Sequence, residues 1–189
     1  MKNINTKEYW NNIWSVEGKH TWRVYPKTFS EISKEVGSKK RVLDVGCGVG
    51  ILSNILNENN YVEGVDISNS AIEILSQSNI KGKVADVPPL PFENNEFDVI
   101  VACEFLEHFI ETDKILLELK RVAKKVIIAV PNNILGHENE KEHYQKFTEE
   151  SLKKLLSYYF KKVKITEFID RFPVGKIMIA LPVLMAVCE

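Results

Sequence analysis

The chain is expected to fold as an α/β protein around a largely parallel sheet, and three observations carry that expectation. From residue 40 onward, short β-branched runs alternate with amphipathic segments, the pattern of successive βα units. One run, RVLDVGCGVG at 41–50, passes directly into three glycines and then a helical pattern. The last two apolar runs are joined by a short Pro/Gly connection, which favours an antiparallel hairpin.

The elements follow in order. Residues 1–39 hold no βα unit. Their aromatic-rich helices, with Tyr9, Trp10, Trp14, Trp22 and Tyr25, are read as a lid segment lying over the carboxyl ends of the strands. Strands are predicted at 41–45, 61–65, 83–85, 97–102 and 125–130, with helices between them at 50–58, 70–77 and 112–123. The last helix, TDKILLELKRVA, opens on a capping Thr or Asp and puts Ile115, Leu116, Leu119 and Val122 on one face, as a sheet-covering helix should. After Pro131 comes a polar loop, NNILGHENEKEHYQK, then a helix at about 148–159. The strands KKVKITEFI and KIMIALPVLMAVC close the chain. Pro182 inside the last strand suits an edge or a bulge better than a sheet centre, because it has no N–H to donate.

Length and composition bound the function. At 189 residues, 44% of them hydrophobic and 27% charged, the chain suits one ordinary globular domain. A formal charge of −1 supplies no basic field to hold a nucleic-acid backbone, and the lysine pairs at 124–125, 153–154 and 161–162 read as solvated element ends. Nucleic acid is therefore disfavoured. Cys47, Cys103 and Cys188 are an odd number without CxxC spacing, which fits a reducing cytoplasm better than a disulfide framework or a zinc knuckle. MKNINTKEYWNNIW lacks the apolar core of a signal peptide, and the longest apolar stretch, 177–188, is too short to span a bilayer. A soluble cytoplasmic protein is expected.

The glycine loop narrows the ligand. The dinucleotide fingerprint GxGxxG would need a third glycine at position 51, where Ile51 stands; the spacing here is instead GxGxG, with Asp44 two residues ahead of Gly46. An acid at that point repels a pyrophosphate and suits an ammonium or sulfonium cation. Asp66 ends the second strand 66 − 46 = 20 residues past the first glycine, where a carboxylate accepts from ribose hydroxyls. Asp86 follows the third strand, where an acid accepts from an adenine amino group, with Ile67 and Val87 as apolar walls. Taken singly, Asp66 caps a helix and Asp86 makes a turn. Their joint spacing with the loop favours a nucleoside-bearing ligand.

VLDVGCGVG, VEGVDIS, ADVPPLPF and FDVIVACEFLEH together resemble the successive motifs of class I S-adenosylmethionine-dependent methyltransferases over about residues 40–165. GCGVGILS with CEFLEH most resembles the ubiquinone-biosynthesis O-methyltransferases. The resemblance implies a three-layer Rossmann-like sheet of seven strands, order 3-2-1-4-5-7-6 with the last antiparallel, in a domain spanning 40–189. It further implies that Gly46, Cys47 and Gly48 cradle the methionine moiety, that Asp66 holds the ribose and that Asp86 and Val87 hold the adenine. Asp44, Ile67 and Cys103 complete the implied cofactor site, and an arginine upstream of the first strand in that subgroup matches Arg23.

CEFLEH concentrates the remaining chemistry. In-line methyl transfer to a hydroxyl needs alignment and removal of the acceptor proton. His108 is the candidate base, with Glu104 as its catalytic companion, because imidazole titrates near working pH. A helix beginning at Leu106 would set Glu104 and His108 four apart on one face, whereas Glu107 would converge through the turn. A plainer reading makes these residues the polar start of a helix. His143, in the loop after the fifth strand, should open on the same rim, while His137 reads as a solvated loop residue. Glu104, Glu107, His108 and His143 also bear a weaker resemblance to the metal-binding pattern of small-RNA 3′-terminal 2′-O-methyltransferases, which implies a divalent metal as an alternative to a plain base.

The expected function is S-adenosylmethionine-dependent O-methylation of a small, partly apolar molecule. Three rivals make different demands. A terminal-ribose methyltransferase of RNA would want a basic groove beside the 132–147 loop, and a non-catalytic partner subunit would want a blocked acceptor pocket. A nicotinamide oxidoreductase would leave Asp44 and the missing third glycine unexplained.

Overall fold

The computed structural model describes residues 3–17, 24–133, 141–174 and 176–189. Two N-terminal helices, α1 (Lys7–Glu17) and α2 (Pro26–Val36), precede β1 (Arg41–Val45), α3 (Ile51–Asn57), β2 (Tyr61–Asp66), α4 (Asn69–Leu75) and β3 (Lys81–Val84). Then come β4 (Phe97–Cys103), a 3₁₀ turn at Leu106–His108, α5 (Asp113–Val122), β5 (Ala123–Pro131), α6 (Glu149–Ser157), β6 (Val163–Val174) and β7 (Ile177–Cys188). The sheet order is β3-β2-β1-β4-β5-β7-β6, with β7 antiparallel to both of its neighbours and the remaining pairs parallel. This is the order expected from the sequence.

The β-branched runs become central strands because both faces of the sheet are covered. Alternate residues serve opposite sides, as the two-residue strand period requires. Ile100, Ala102, Val126 and Ile128 pack with Ile115, Leu116, Leu119, Leu152 and Leu156 beneath α5 and α6. Val99, Val101, Ile127 and Ala129 pack with Phe29, Ile32, Leu52, Leu56 and Leu75 beneath α2, α3 and α4. Three layers result. Since Phe29, Ile32 and Val36 are buried in the second of these clusters, α2 is part of the core, and α1 is the element above the strand ends.

Two departures from the sequence reading have physical causes. The first hairpin strand was expected to stop at residue 169 but continues to Val174, pairing Asp170–Val174 with Leu181–Ile177. Asp170 and Arg171 break the apolar run without breaking the ladder, because the Asp170 carboxylate has its own partners: it accepts from Lys27 N at 3.2 Å, Thr28 N at 2.7 Å and Arg171 N at 2.9 Å. Pro182, in turn, lies where β5 ends, and its carbonyl accepts from Asn132 N at 2.8 Å. The N–H and C=O of one strand residue point to the same side, so the missing donor is lost toward the end of β5 and not from the β6 ladder.

Candidate active site

The carboxyl ends of the parallel strands meet at one edge of the sheet and enclose a cavity of about 480 Å³. Its floor is the loop after β1. Gly46 and Gly48 have φ of 72° and 51°, in the left-handed region, and both are closely covered. A Cβ at Gly46 would stand 2.5 Å from the Phe105 ring, and one at Gly48 would stand 2.7 Å from Trp14. Only glycine fits at either place. The loop amides are committed within the protein: Gly46 N and Cys47 N donate to Val65 O at 2.8 and 3.1 Å, Gly50 N donates to Cys47 O at 3.0 Å, and Gly48 N donates to Asp66 Oδ2 at 2.9 Å. These four amides are therefore not available to a phosphate.

Carboxylates dominate instead. Asp44 is buried and accepts from Ser53 Oγ at 2.6 Å; burial raises its carboxyl from 3.8 to about 6, with the Ser53 hydroxyl pulling down and the Asp66 charge pushing up. Asp66, also buried, accepts from Gly48 N and from Ser68 N, each at 2.9 Å. Burial raises its carboxyl as well, against those backbone donors. Two buried acids lining one cavity favour a cation there. Ile67, Asp86, Val87, Cys47 and Cys103 also line it. Asp86 is exposed at the rim, and burial holds both thiols well above their ordinary range, so they act as neutral walls. Arg23, Trp22 and His137 lie outside the described residues.

The opposite wall is made by CEFLEH. The expected helix from Leu106 is a single 3₁₀ turn, so a four-residue helical face does not bring Glu104 and His108 together. The 141–147 loop supplies the geometry instead, because Tyr144 N and Gln145 N donate to Glu107 O at 2.8 and 3.0 Å. His108 Nδ1 lies 3.1 Å from Glu142 O. A carbonyl only accepts, so Nδ1 carries the proton and the imidazole lone pair sits on Nε2. Glu104 lines the cavity in the left-handed region at φ 51°. Glu107 is buried, and one ligand atom each of Glu107, His108 and His143 lies within 4.8 Å of the others. Glu104 falls outside that group, and His108 is the member that reaches the cavity.

Tyr9, Trp10 and Trp14 take part as the aromatic pattern suggested, whereas Asn5, Asn11 and Glu142 were not singled out by the sequence. Asn5 Nδ2 donates to His108 O at 2.9 Å and to Glu142 O at 2.8 Å, and Tyr9 OH donates to Glu142 Oε1 at 2.7 Å. Further along α1, Asn11 Oδ1 accepts from Ser68 Oγ at 2.9 Å, Trp10 meets the His108 ring edge-on at 5.0 Å, and Trp14 rests on Gly48. The N-terminal segment thus roofs the cavity, tied at one end to the 141–147 loop and at the other to the start of α4. Glu142 stands beside His143, which was a signal for it; Asn5 had no such neighbour.

Comparison with known proteins bears on this arrangement. Residues 18–159 match the family described as methyltransferase domain. The chain is 34% identical over 110 residues to a ubiquinone biosynthesis O-methyltransferase of Coxiella burnetii, covering 54% of this chain and 46% of that protein. It is 32% identical over 136 residues to a demethylmenaquinone methyltransferase of Staphylococcus aureus, covering 66% and 54% respectively. The matched segment is thus about half the length of these curated relatives. Among solved structures, magnesium protoporphyrin IX methyltransferase from Synechocystis PCC 6803 with bound SAH superposes with a TM-score of 0.73 at 18% identity, over 97% of both chains. The YcgJ protein of Bacillus superposes at 0.71 and 15%, over 86% of this chain and 98% of that one. At these identities the two structures speak for the fold alone.

Proposed function

The chain belongs to the methyltransferase-domain family, and on that premise we propose that it transfers a methyl group from S-adenosylmethionine to a hydroxyl of a small, partly apolar molecule. One observation carries the reading: two buried carboxylates, Asp44 and Asp66, share a cavity with the His108 imidazole. The buried acids and the closely covered glycine floor fit a compact cationic group better than a pyrophosphate. Bound there, S-adenosylmethionine supplies an activated methyl whose sulfonium leaves as a neutral thioether.

The chain's own residues do the rest. Asp66 accepts from the ribose, Asp86 and Val87 receive the adenine, and Gly46, Cys47 and Gly48 cradle the methionine end, whose ammonium Asp44 compensates. His108 Nε2 takes the acceptor hydroxyl proton as the oxygen–methyl bond forms and the methyl–sulfur bond breaks, the electron pair of that bond staying on sulfur. The α1 roof excludes water, while α2 packs into the core of the catalytic domain with residues 40–189. One curated relative is named for O-methylation in ubiquinone biosynthesis and the other for demethylmenaquinone, which supports a hydroxylated aromatic ring as acceptor. A cavity of about 480 Å³ beside His108 does not fit a blocked, non-catalytic site.

A second reading rests on the Glu107, His108 and His143 group. One carboxylate and two imidazoles suit Mn²⁺, Co²⁺ or Zn²⁺ better than Mg²⁺, and an ion held by them would polarise two adjacent substrate oxygens. It would draw on the His108 imidazole itself, so a metal and a general base at that residue are alternatives.

Thermal shift tests the cofactor. S-adenosylmethionine and its demethylated product should both raise the melting temperature while NAD does not, and Asp66→Ala should remove most of the effect. Equal stabilisation by NAD, or none by either sulfur compound, would refute the assignment.

A further inference from the structure

Past the end of β5 the terminal hairpin runs on alone. β5 stops at Pro131 opposite Val183, whereas β6 and β7 stay paired from Asp170↔Leu181 to Val174↔Ile177. Five pairs at about 3.3 Å per residue carry the ribbon ~15 Å beyond its neighbour. It projects on the cavity side of the sheet, because β5 is parallel to β4 and the last residue of β4, Cys103, lines the cavity. A two-stranded ribbon is marginal in water by itself. Asp170 pins this one to the start of α2.

What the free end presents is apolar and basic. Ile169 is 48% exposed, Met178 62% and Ile179 37%. Arg171 and Lys176 stand exposed beside them, and RFPVGKIMIALPVLMAVC (171–188) contains no Asp or Glu. The chain as a whole carries −1, so any attraction to an anionic surface must be local to this ribbon.

We propose that the free end of the β6–β7 hairpin docks on an anionic lipid bilayer, with Met178 and Ile179 entering the headgroup boundary and Arg171 and Lys176 meeting the phosphates. A second copy of the chain is the poorer occupant. Two such ribbons would oppose their own cations, because the one nearby acid, Asp170, is buried and committed to backbone amides, and the three large apolar side chains exposed among the described residues fall far short of the roughly 800 Å² per partner of a stable interface. A bilayer needs no such area, because shallow apolar insertion and headgroup attraction add together. Docking there sets the cavity edge of the sheet toward the membrane, where an acceptor dissolved in lipid would arrive. The inference does not depend on the methyl-transfer reading.

Co-sedimentation of the full chain with vesicles decides the matter. The protein should pellet with vesicles of equal parts phosphatidylcholine and phosphatidylglycerol, and far less with phosphatidylcholine alone or at high salt. Arg171→Gln and Lys176→Gln should each lower partitioning about fivefold. The double variant Met178→Glu/Ile179→Glu should reduce it to background. All these positions are exposed, and an unchanged melting curve for each variant separates lost docking from lost folding. No pelleting of wild type with anionic vesicles, or pelleting of the variants equal to wild type, overturns the proposal. So does a dimer in sedimentation equilibrium that Met178→Glu dissociates while vesicles are ignored.

Discussion

His108 Nδ1 hydrogen-bonds to the carbonyl oxygen of Glu142, 34 residues further along the chain, at 3.1 Å. The 141–147 loop therefore fixes which imidazole nitrogen carries the lone pair. His108→Ala should lower kcat by about 10²- to 10⁴-fold while leaving cofactor affinity near wild type, the range for a lost general base. Steady-state kinetics beside calorimetric binding checks this, and wild-type turnover in the variant would leave alignment alone to drive transfer.

Base and metal separate at His143. If an ion is held, a chelator should silence the native enzyme, and Glu107→Ala and His143→Ala should each lose activity that Mn²⁺ or Co²⁺ partly restores. With a plain base, the chelator has no effect and His143→Ala retains most of its turnover. Turnover assays with and without chelator read the difference.

Asp44 makes stability depend on pH in a stated direction. Its carboxyl is raised by burial from 3.8 to about 6, so its contribution to stability is complete below about pH 4 and is lost as pH rises through about 6. The full loss is roughly 3 kcal/mol, at 1.36 kcal/mol per unit. Asp44→Asn should accordingly melt higher than wild type at pH 7.5 and nearly equal to it at pH 4. A bound cation favours the ionised acid, so wild-type affinity for S-adenosylmethionine should fall by up to about tenfold from pH 7.5 to pH 5, and the Asn variant should lose its share of that dependence. Titration calorimetry at the two pH values settles the sign.

Asp170 stands in for the missing N-cap of α2, whose own N-cap residue, Tyr25, makes no side-chain cap. Asp170→Ala leaves two amides at the start of a core helix without their acceptor and should cost about 1–3 kcal/mol. For a chain of this size that corresponds to a melting temperature lower by about 3–10 °C. Because Tyr25 lines the cavity, ligand stabilisation should weaken in the same variant.

Removing residues 1–17 tests the roof. The sheet and its two helical layers should still melt cooperatively, since α1 contributes nothing to the two buried apolar clusters among the described residues. Turnover should be lost as water enters over Gly48 and His108. Full activity in the truncated chain would reduce Trp10 and Trp14 to packing.

What could be read from the sequence was local. Strand runs, the GxGxG turn and the acids at successive strand ends are each written in a few adjacent residues, and their periodicities are those of the elements they form. The contacts that assemble the acceptor side are not local. The turn at Leu106–His108 has too few residues to show a period, and its shape depends on Tyr144 and Gln145 hydrogen-bonding to the Glu107 carbonyl. Asp170 looked like the end of a strand because an isolated acid in an apolar run ordinarily faces water; two of its three partners are amides 142 and 143 positions away. The GxGxG spacing does not show that the amides of Gly46, Cys47, Gly48 and Gly50 are committed to Val65, Cys47 and Asp66, because Val65 and Asp66 lie on the next strand.

Asn5 sits near the start of the chain and its two acceptors, the carbonyls of His108 and Glu142, lie 103 and 137 residues downstream. Translation runs from N- to C-terminus, so Asn5 is made before either acceptor and the roof cannot seat until Glu142 has been synthesised. Closing so long a loop is slow relative to pairing neighbours. The sheet can form before the cavity is covered, so in refolding experiments regular secondary structure should return earlier than the capacity to retain ligand.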